Sequence, residues 1–325
     1  MPMPAERPRL LLTMGDPTGV GPEIIAAVWA DDRVHRVCRP VVVGERGVLE
    51  RAAELRKAGA AIEAVAEAEL PRAFDRTSPA VMPCVQLRAP LGRPGGQAYE
   101  AVTLAAGAAL DGRCDGIVTA PLSKANLQAA GHDYPGHTEL LAELCSVDDF
   151  AMMLYLPPGE TTRCPHGLGV VHTTLHTSLR SVFDLLSVDA IAAKCRLAHA
   201  ALAAFGALAP RVAVAALNPH AGEEGLFGDE ERTLIAPAVQ RVLGEGLNVT
   251  GPWSVDTLMG RAAAGEFDAV VAMYHDQGHI ALKLLGMHAA VNVTLGLPIV
   301  RTSVAHGTAP DLAWKGVAET EGMIA

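Results

Sequence analysis

The run Asp268-Ala269-Val270-Val271-Ala272-Met273-Tyr274-His275-Asp276-Gln277-Gly278-His279 decides how the chain reads. Ala269 to Met273 is apolar and short, the length of a buried strand rather than of a helix. It ends abruptly in His275, Asp276, Gln277, Gly278 and His279. In open α/β sheets ligands bind outside the carboxyl ends of the strands, so polar groups gathered there are candidates for chemistry. A second β-rich run comes next and ends at Arg301, and Lys283, Asn292 and Arg301 add hydrogen-bond donors suited to an anion. The segment is expected to carry a metal ligand together with a phosphate site.

The bulk numbers set limits on the rest. A length of 325 residues predicts two domains, and a 50% hydrophobic content can fill a large core. Aromatics are only 4%, so Ala, Val and Leu must do the filling. The net charge of −10 and the lack of a basic block argue against nucleic acid as a partner. Six scattered cysteines with no C-x-x-C pair fit a reducing, cytoplasmic setting. No apolar span is long enough for a membrane helix, and the N-terminus has no signal-like core.

Outward from the opening segment, strands and helices alternate, which predicts parallel strands joined by crossovers. Arg9 to Met14 reads as a strand running into Gly15-Asp16-Pro17-Thr18-Gly19-Val20-Gly21-Pro22-Glu23, with a helix from Ile24. That loop is either a tight turn or an anion site at a helix N-terminus. Residues 59–96 look less regular. Asp115 to Thr119 reads as a strand followed by Lys124 at a helix start, where a cation opposes the helix dipole and so suggests a functional reason. His137 and Thr138 lie at another helix N-terminus, Thr138 either as its cap or with His137 as a pair of donors to an oxyanion. Phe150–Leu156 and Gly167–Thr174 read as two strands of a hairpin.

His176, His220 and His275 each come closely after an apolar β-like run. Three imidazoles at strand ends make a divalent-metal site with open positions for substrate. His172 and His279 are rival ligands, and Asp276 and Asp256 are candidates to orient the ligands.

The segments 15–23, Thr-Ala-Pro-Leu-Ser-Lys (119–124), Pro-Gly-His-Thr-Glu (135–139), Asn-Pro-His-Ala-Gly-Glu (218–223), Asp-Thr-Leu (256–258), Tyr-His-Asp-Gln-Gly (274–278) and 296–309 resemble the 4-hydroxythreonine-4-phosphate dehydrogenase family. They occur in the family's order and cover nearly the whole chain. The resemblance implies an NAD- and divalent-metal-dependent (Zn, Mg, Mn or Co) oxidative decarboxylase, a homodimer with its active site at the subunit interface. It implies His176, His220 and His275 as metal ligands, one of them from the partner chain. It implies His137, Thr138, Lys283, Asn292 and Arg301 as substrate and phosphate contacts, with Asp256 at a polar active-site position. Asp256, Lys124 or a metal-bound water is the candidate proton acceptor. His306-Gly307-Thr308-Ala309-Pro310-Asp311 is similar to the adenosine-binding loop of isopropylmalate and isocitrate dehydrogenases. The expected fold is therefore α/β, with two α/β domains around a central cleft in that architecture rather than a classical Rossmann fold. The expected domains are 1–130 plus 280–325, carrying the cofactor loop, and 131–279, carrying the metal ligands and dimer contacts. An acid at Asp311 would accept from a ribose diol and repel a 2′-phosphate, favouring NAD over NADP.

The chain departs from the biosynthetic pattern in one telling place. After Tyr-His-Asp-Gln-Gly the biosynthetic enzymes continue with Leu-Pro, whereas this chain continues with His279-Ile280-Ala281-Leu282-Lys283. This looks more like a branch that oxidises D-threonate or D-erythronate 4-phosphate. The usual Asp before His-Gly-Thr-Ala is Ala305, and the chain stops at Ala325, short of the C-terminal helix the family implies. The expected substrate is a four-carbon 3-hydroxy acid 4-phosphate: 4-phosphooxy-L-threonine, giving 3-amino-2-oxopropyl phosphate, or the sugar acid, giving dihydroxyacetone phosphate. A non-catalytic sugar-phosphate binder and a metallohydrolase are the competing classes, and neither accounts for the 306–311 loop.

Overall fold

The structure, a computed structural model, describes residues 6–90 and 92–325. The chain divides into two compact units, one running to Asp148 and resuming at Leu297–Ala325, the other spanning Asp149–Gly296.

The first unit contains β1 (Arg9–Thr13), β2 (Arg39–Gly44), β3 (Ala61–Val65), β4 (Val81–Gln86), β5 (Gly116–Thr119) and, from the chain's return, β12 (Arg301–Val304). They pair in the order β3-β4-β2-β1-β5-β12, every pair parallel. Because β4 lies between β2 and β3, the order is not that of the classical dinucleotide-binding fold. The strand cores Leu11, Leu12, Val41, Val42, Val43 and Ile117 are buried on near-continuous apolar runs, as parallel strands covered on both faces require. The helix Pro94–Leu110 packs with small residues, burying Ala98, Ala101, Ala105 and Ala106. Its Gly95 has no room for a side chain, since a Cβ would lie 1.9 Å from the Asn126 carbonyl oxygen.

The second unit contains β6 (Ala151–Leu156), β7 (Leu168–His172), β8 (Val212–Ala215), β9 (Val249–Trp253), β10 (Ala269–Ala272) and β11 (Val291–Leu295). Their order is β11-β6-β7-β10-β8-β9. The pairs β11–β6 and β6–β7 are antiparallel, the latter being the expected hairpin, and β7, β10, β8 and β9 run parallel. The helix Val188–Ala204, capped by Ser187, covers this sheet with Ile191, Ala192, Cys195, Ala198 and Leu202. Ala and Val thus fill the core, as the low aromatic content demands.

Four expectations need correction. Residues 59–96 are regular for most of their length, holding β3, the helix Leu70–Arg76 and β4. The β-rich run does not come directly after the polar cluster: His275 opens a helix, His275–Gly286, that stands between them. Arg301 begins a strand rather than ending one. The domain edges also stand elsewhere than 130 and 279. The helix His137–Leu144 buries Leu140 and Leu141 in the first unit's core. The segment 280–296 stays with the second unit, where its helix continues and β11 pairs with β6.

Candidate active site

Arg301, the first residue of β12, is 1% exposed, although it is one of the largest charged side chains in the chain. Its Nε and Nη2 donate to Thr119 Oγ1 at 3.2 and 2.7 Å. Burial lowers its pKa to about 10, with Glu139 acting the other way, so it stays cationic at neutral pH. His137 opens the helix His137–Leu144, and Thr138 comes next, buried. Gly136 occupies the N-cap position with no side-chain cap, so the reading of Thr138 as the cap fails. Burial holds the His137 imidazole well below its ordinary pKa, the Arg301 charge adds to this, and the Ala120 carbonyl opposes it. That carbonyl can only accept, so the ring nitrogen facing it carries the proton. The other ring nitrogen, Nε2, is buried without a hydrogen-bond partner. A buried guanidinium, an unpartnered imidazole nitrogen and the positive end of a helix are groups of the kind that an oxyanion seat would use.

The Gly-rich loop after β1 resolves toward its structural reading. Asp16 is fully buried and accepts from Thr18 N (2.8 Å), Thr18 Oγ1 (2.5 Å) and Asn126 Nδ2 (2.7 Å). Its carboxylate already takes the donors that an incoming anion would need. Gly15, at φ +71°, lies where a Cβ would meet the Pro121 oxygen at 2.4 Å, which fixes glycine there. The same loop supports the 306–311 segment, with Val20 N donating to the Thr308 carbonyl at 3.0 Å. Glu23, buried, accepts from Trp314 N (2.9 Å) and Gly316 N (2.8 Å). His306, Gly307 and Asp311 are exposed, Thr308 is partly buried, and Ala309 turns the chain at φ 41°.

In the second unit, His176 lies after β7, His220 after β8 and His275 after β10, three adjacent parallel strands. His176 and His275 come within 5.8 Å between ring centroids. Asp276 Oδ1 sits 2.7 Å from His275 Nδ1, which leaves Nε2 of His275 for a ligand; Asp276 therefore has the expected orienting contact. Asp256 does not: it is exposed, and its Oδ1 accepts from Ser254 Oγ at 2.7 Å. Among the described residues no group of three or more His, Cys, Asp or Glu is placed to hold a metal ion. The donor chemistry fits a divalent metal, while a single chain brings together only two of the three expected imidazoles.

His220 lies in an unusual turn. His220, Ala221, Gly222, Glu223 and Glu224 all have φ between 42° and 82°, a left-handed turn that four non-glycine residues adopt at a cost. Glu231 anchors its start, accepting from Leu217 N (2.8 Å), Asn218 N (2.7 Å) and Asn218 Nδ2 (3.0 Å). Burial opposes ionisation of Glu231, but these N–H groups outweigh it and hold the carboxyl below its usual range.

The rival histidines pair with each other. His279 Nδ1 lies 3.0 Å from His172 Nε2, and the His279 ring stacks on His275 with centroids 3.7 Å apart. Burial lowers His172 to about 4 and His279 to about 3, so both are neutral at pH 7. Gly278 permits this approach, for a Cβ there would lie 2.6 Å from His172 Nε2. Lys283 shares the helix face of His275 and His279, four residues beyond one and eight beyond the other, and its charge helps depress His279. Asn292, on β11, has its Oδ1 buried without a partner. Lys124 is exposed at the start of the helix Lys124–Ala129, which Ser123 caps.

Two contributors escaped the reading of the sequence. Thr119 was legible as a strand end but not as the acceptor for Arg301. Glu231 left no signal, because its partners lie more than ten residues back across an irregular turn.

Fold and polar clusters define a two-unit α/β protein of enzyme type, and comparison gives its family. The chain belongs to the pyridoxal phosphate biosynthetic protein PdxA family, whose model matches residues 36–325. It is 45% identical over 331 residues to the 4-hydroxythreonine-4-phosphate dehydrogenase of Geobacter metallireducens, covering 99% of this chain and 94% of that one. It is 42% identical over 338 residues to the D-threonate 4-phosphate dehydrogenase of Salmonella typhimurium, covering 98% and 96%. The crystal structure of the 4-hydroxythreonine-4-phosphate dehydrogenase from Klebsiella pneumoniae superposes with a TM-score of 0.83 at 42% identity, covering 98% and 96%. The chain is thus a dehydrogenase, an oxidoreductase acting on CH–OH.

Proposed function

We propose that the protein oxidises and decarboxylates a four-carbon 3-hydroxy acid 4-phosphate, converting 4-phosphooxy-L-threonine to 3-amino-2-oxopropyl phosphate. The observation that carries this reading is the buried Arg301 beside His137, whose Nε2 has no partner. Such a seat suits a phosphate, with Arg301, His137 and Thr138 as its contacts and Lys283 and Asn292 as further substrate contacts. Binding energy gained at the remote phosphate orients the reacting C3. His176 and His275 are the proposed metal ligands of one protomer, and His220 of a second copy is the third, making the enzyme a homodimer. Asp276 holds the His275 ring with its Nε2 available. When bound, a divalent metal would acidify the C3 hydroxyl and a nicotinamide would accept the hydride. Lys124 and Asp256 are the proposed proton acceptors. The loop His306, Gly307, Thr308, Ala309 and Asp311 is the proposed cofactor loop, with exposed Asp311 favouring NAD. The six free cysteines support a reducing compartment, the cytoplasm, and among the described residues no helix is long and apolar enough to cross a membrane.

A second reading has its own observation. His279, where this chain leaves the biosynthetic pattern, stacks on His275 at 3.7 Å. That favours a substrate with a different C2 group, D-threonate or D-erythronate 4-phosphate, giving dihydroxyacetone phosphate.

The test monitors reduced nicotinamide by absorbance across the three phosphates and their unphosphorylated counterparts, before and after exhaustive chelation. Turnover of a phosphorylated acid, lost on chelation and restored by a divalent ion, is expected. Ligand binding with no nicotinamide reduction would identify a non-catalytic binder, and full activity in the metal-free protein would remove the histidines' role.

A further inference from the structure

We propose that Thr119 is the positioning residue for Arg301: its hydroxyl fixes the buried guanidinium in the orientation that receives a phosphate group. This deepens the reading of Arg301 as a phosphate contact and rests on it. A cation that is 1% exposed is tolerated only where neighbours accept its N–H bonds. The guanidinium is a rigid planar fork of donors, and Nε–H and an Nη2–H form one edge of it. That edge converges on the single Oγ1 of Thr119, at 3.2 and 2.7 Å. Two bonds along one edge set the rotation of the guanidinium plane, which one bond would leave loose. Both lone pairs of the Thr119 hydroxyl are then engaged, and its own O–H is left as a donor.

Thr119 is itself held firmly. It is the last residue of β5 and fully buried, aligned with Thr13 of β1 on one side and Ser303 of β12 on the other. Three hydroxyl residues thus form one row across three parallel strands, at the carboxyl ends where ligands are received. A β-branched residue has few χ1 choices, so the hydroxyl direction is preset. Thr13 Oγ1 and His137 Nε2 are both buried without partners, two polar groups that a bound oxyanion and its proton would satisfy. Valine at 119 would fill the same volume and offer no acceptor.

The experiment combines calorimetric titration with inorganic phosphate and 15N–1H spectroscopy of the arginine side chains, in the wild type, Thr119→Ser, Thr119→Val and Arg301→Ala. Thr119→Ser is expected to bind phosphate like the wild type, and Thr119→Val about tenfold more weakly. With the phosphorylated substrate, Thr119→Val is expected to lose about tenfold in kcat/KM while Thr119→Ser keeps the wild-type value, and with the unphosphorylated substrate the two variants should differ little. The Arg301 Nε–H signal should exchange slowly in the wild type and Thr119→Ser, and faster in Thr119→Val. Equal phosphate affinity in Thr119→Val and the wild type overturns the proposal. So does a wild-type Arg301 Nε–H that exchanges as fast as those of exposed arginines, a measurement that needs no variant to fold. Undiminished phosphate binding by Arg301→Ala overturns the phosphate seat itself, which separates that failure from a failure at Thr119.

Discussion

His137 shows how one side chain reports on its surroundings. Its imidazole is kept neutral by burial and by the nearby Arg301 charge, against the Ala120 carbonyl. A histidine with a depressed folded pKa contributes stability that is present above its unfolded pKa, about 6.5, and is lost as pH falls below it. A phosphate dianion beside Nε2 reverses the balance by favouring the protonated ring. An NMR titration of the His137 ring should therefore give a midpoint well below about 6.5 in the free protein, moving upward when inorganic phosphate is added. A midpoint at the ordinary value, unmoved by phosphate, would contradict the seat. The residue types at this seat were legible in the sequence: His137, Thr138 and Arg301 stand in recognisable segments. Their surroundings were not. Nothing in the order of residues announces that Arg301 is fully buried or that Thr119, more than half the chain away, accepts its hydrogen bonds.

Among elements, the strands read more easily than the turns and helix starts at their ends. Apolar runs predicted β1, β5, β6, β7 and β10 close to their observed places, because strands buried on both faces are continuous apolar stretches. The helix His275–Gly286 was missed because its first turn, His-Asp-Gln-Gly, is polar and contains glycine, which reads as a loop. The spacing of His275, His279 and Lys283 was the available helical signal. The left-handed turn at His220–Glu224 was invisible, since four of its five residues disfavour that conformation and a distant carboxylate holds its start. Glu231→Gln keeps the volume but turns an N–H donor toward Asn218 Nδ2. Denaturant titration should show a loss of about 1–3 kcal/mol at pH 7. The carboxyl pKa is lowered in the folded state, so this stability is present above the unfolded value and fades as pH falls through the folded one. Wild-type stability in Glu231→Gln would mean that the turn is held by other contacts.

At the scale of the molecule, two units each build their own core, and the chain's return at Leu297–Ala325 completes the first. Length predicted two domains, but their edges depend on where a helix docks, and local composition does not record that. The proposed metal ligands raise a question larger than one chain, because among the described residues two of the imidazoles come together and the third does not join them. If His220 serves a second copy's pair, then His220→Ala and His275→Ala, each inactive alone, should complement when mixed and reassociated. Half of a random mixture is heterodimer and each heterodimer has one intact site, so about a quarter of wild-type activity should return. No recovery would place all three ligands within one chain. The most direct test of the central claim is the ratio of CO₂ released to nicotinamide reduced, measured with 4-phosphooxy-L-threonine and with the D-threonate and D-erythronate 4-phosphates. Oxidative decarboxylation predicts that the two products appear one for one with the true substrate. Nicotinamide reduced without CO₂, or neither product from any of the three phosphates, would contradict it.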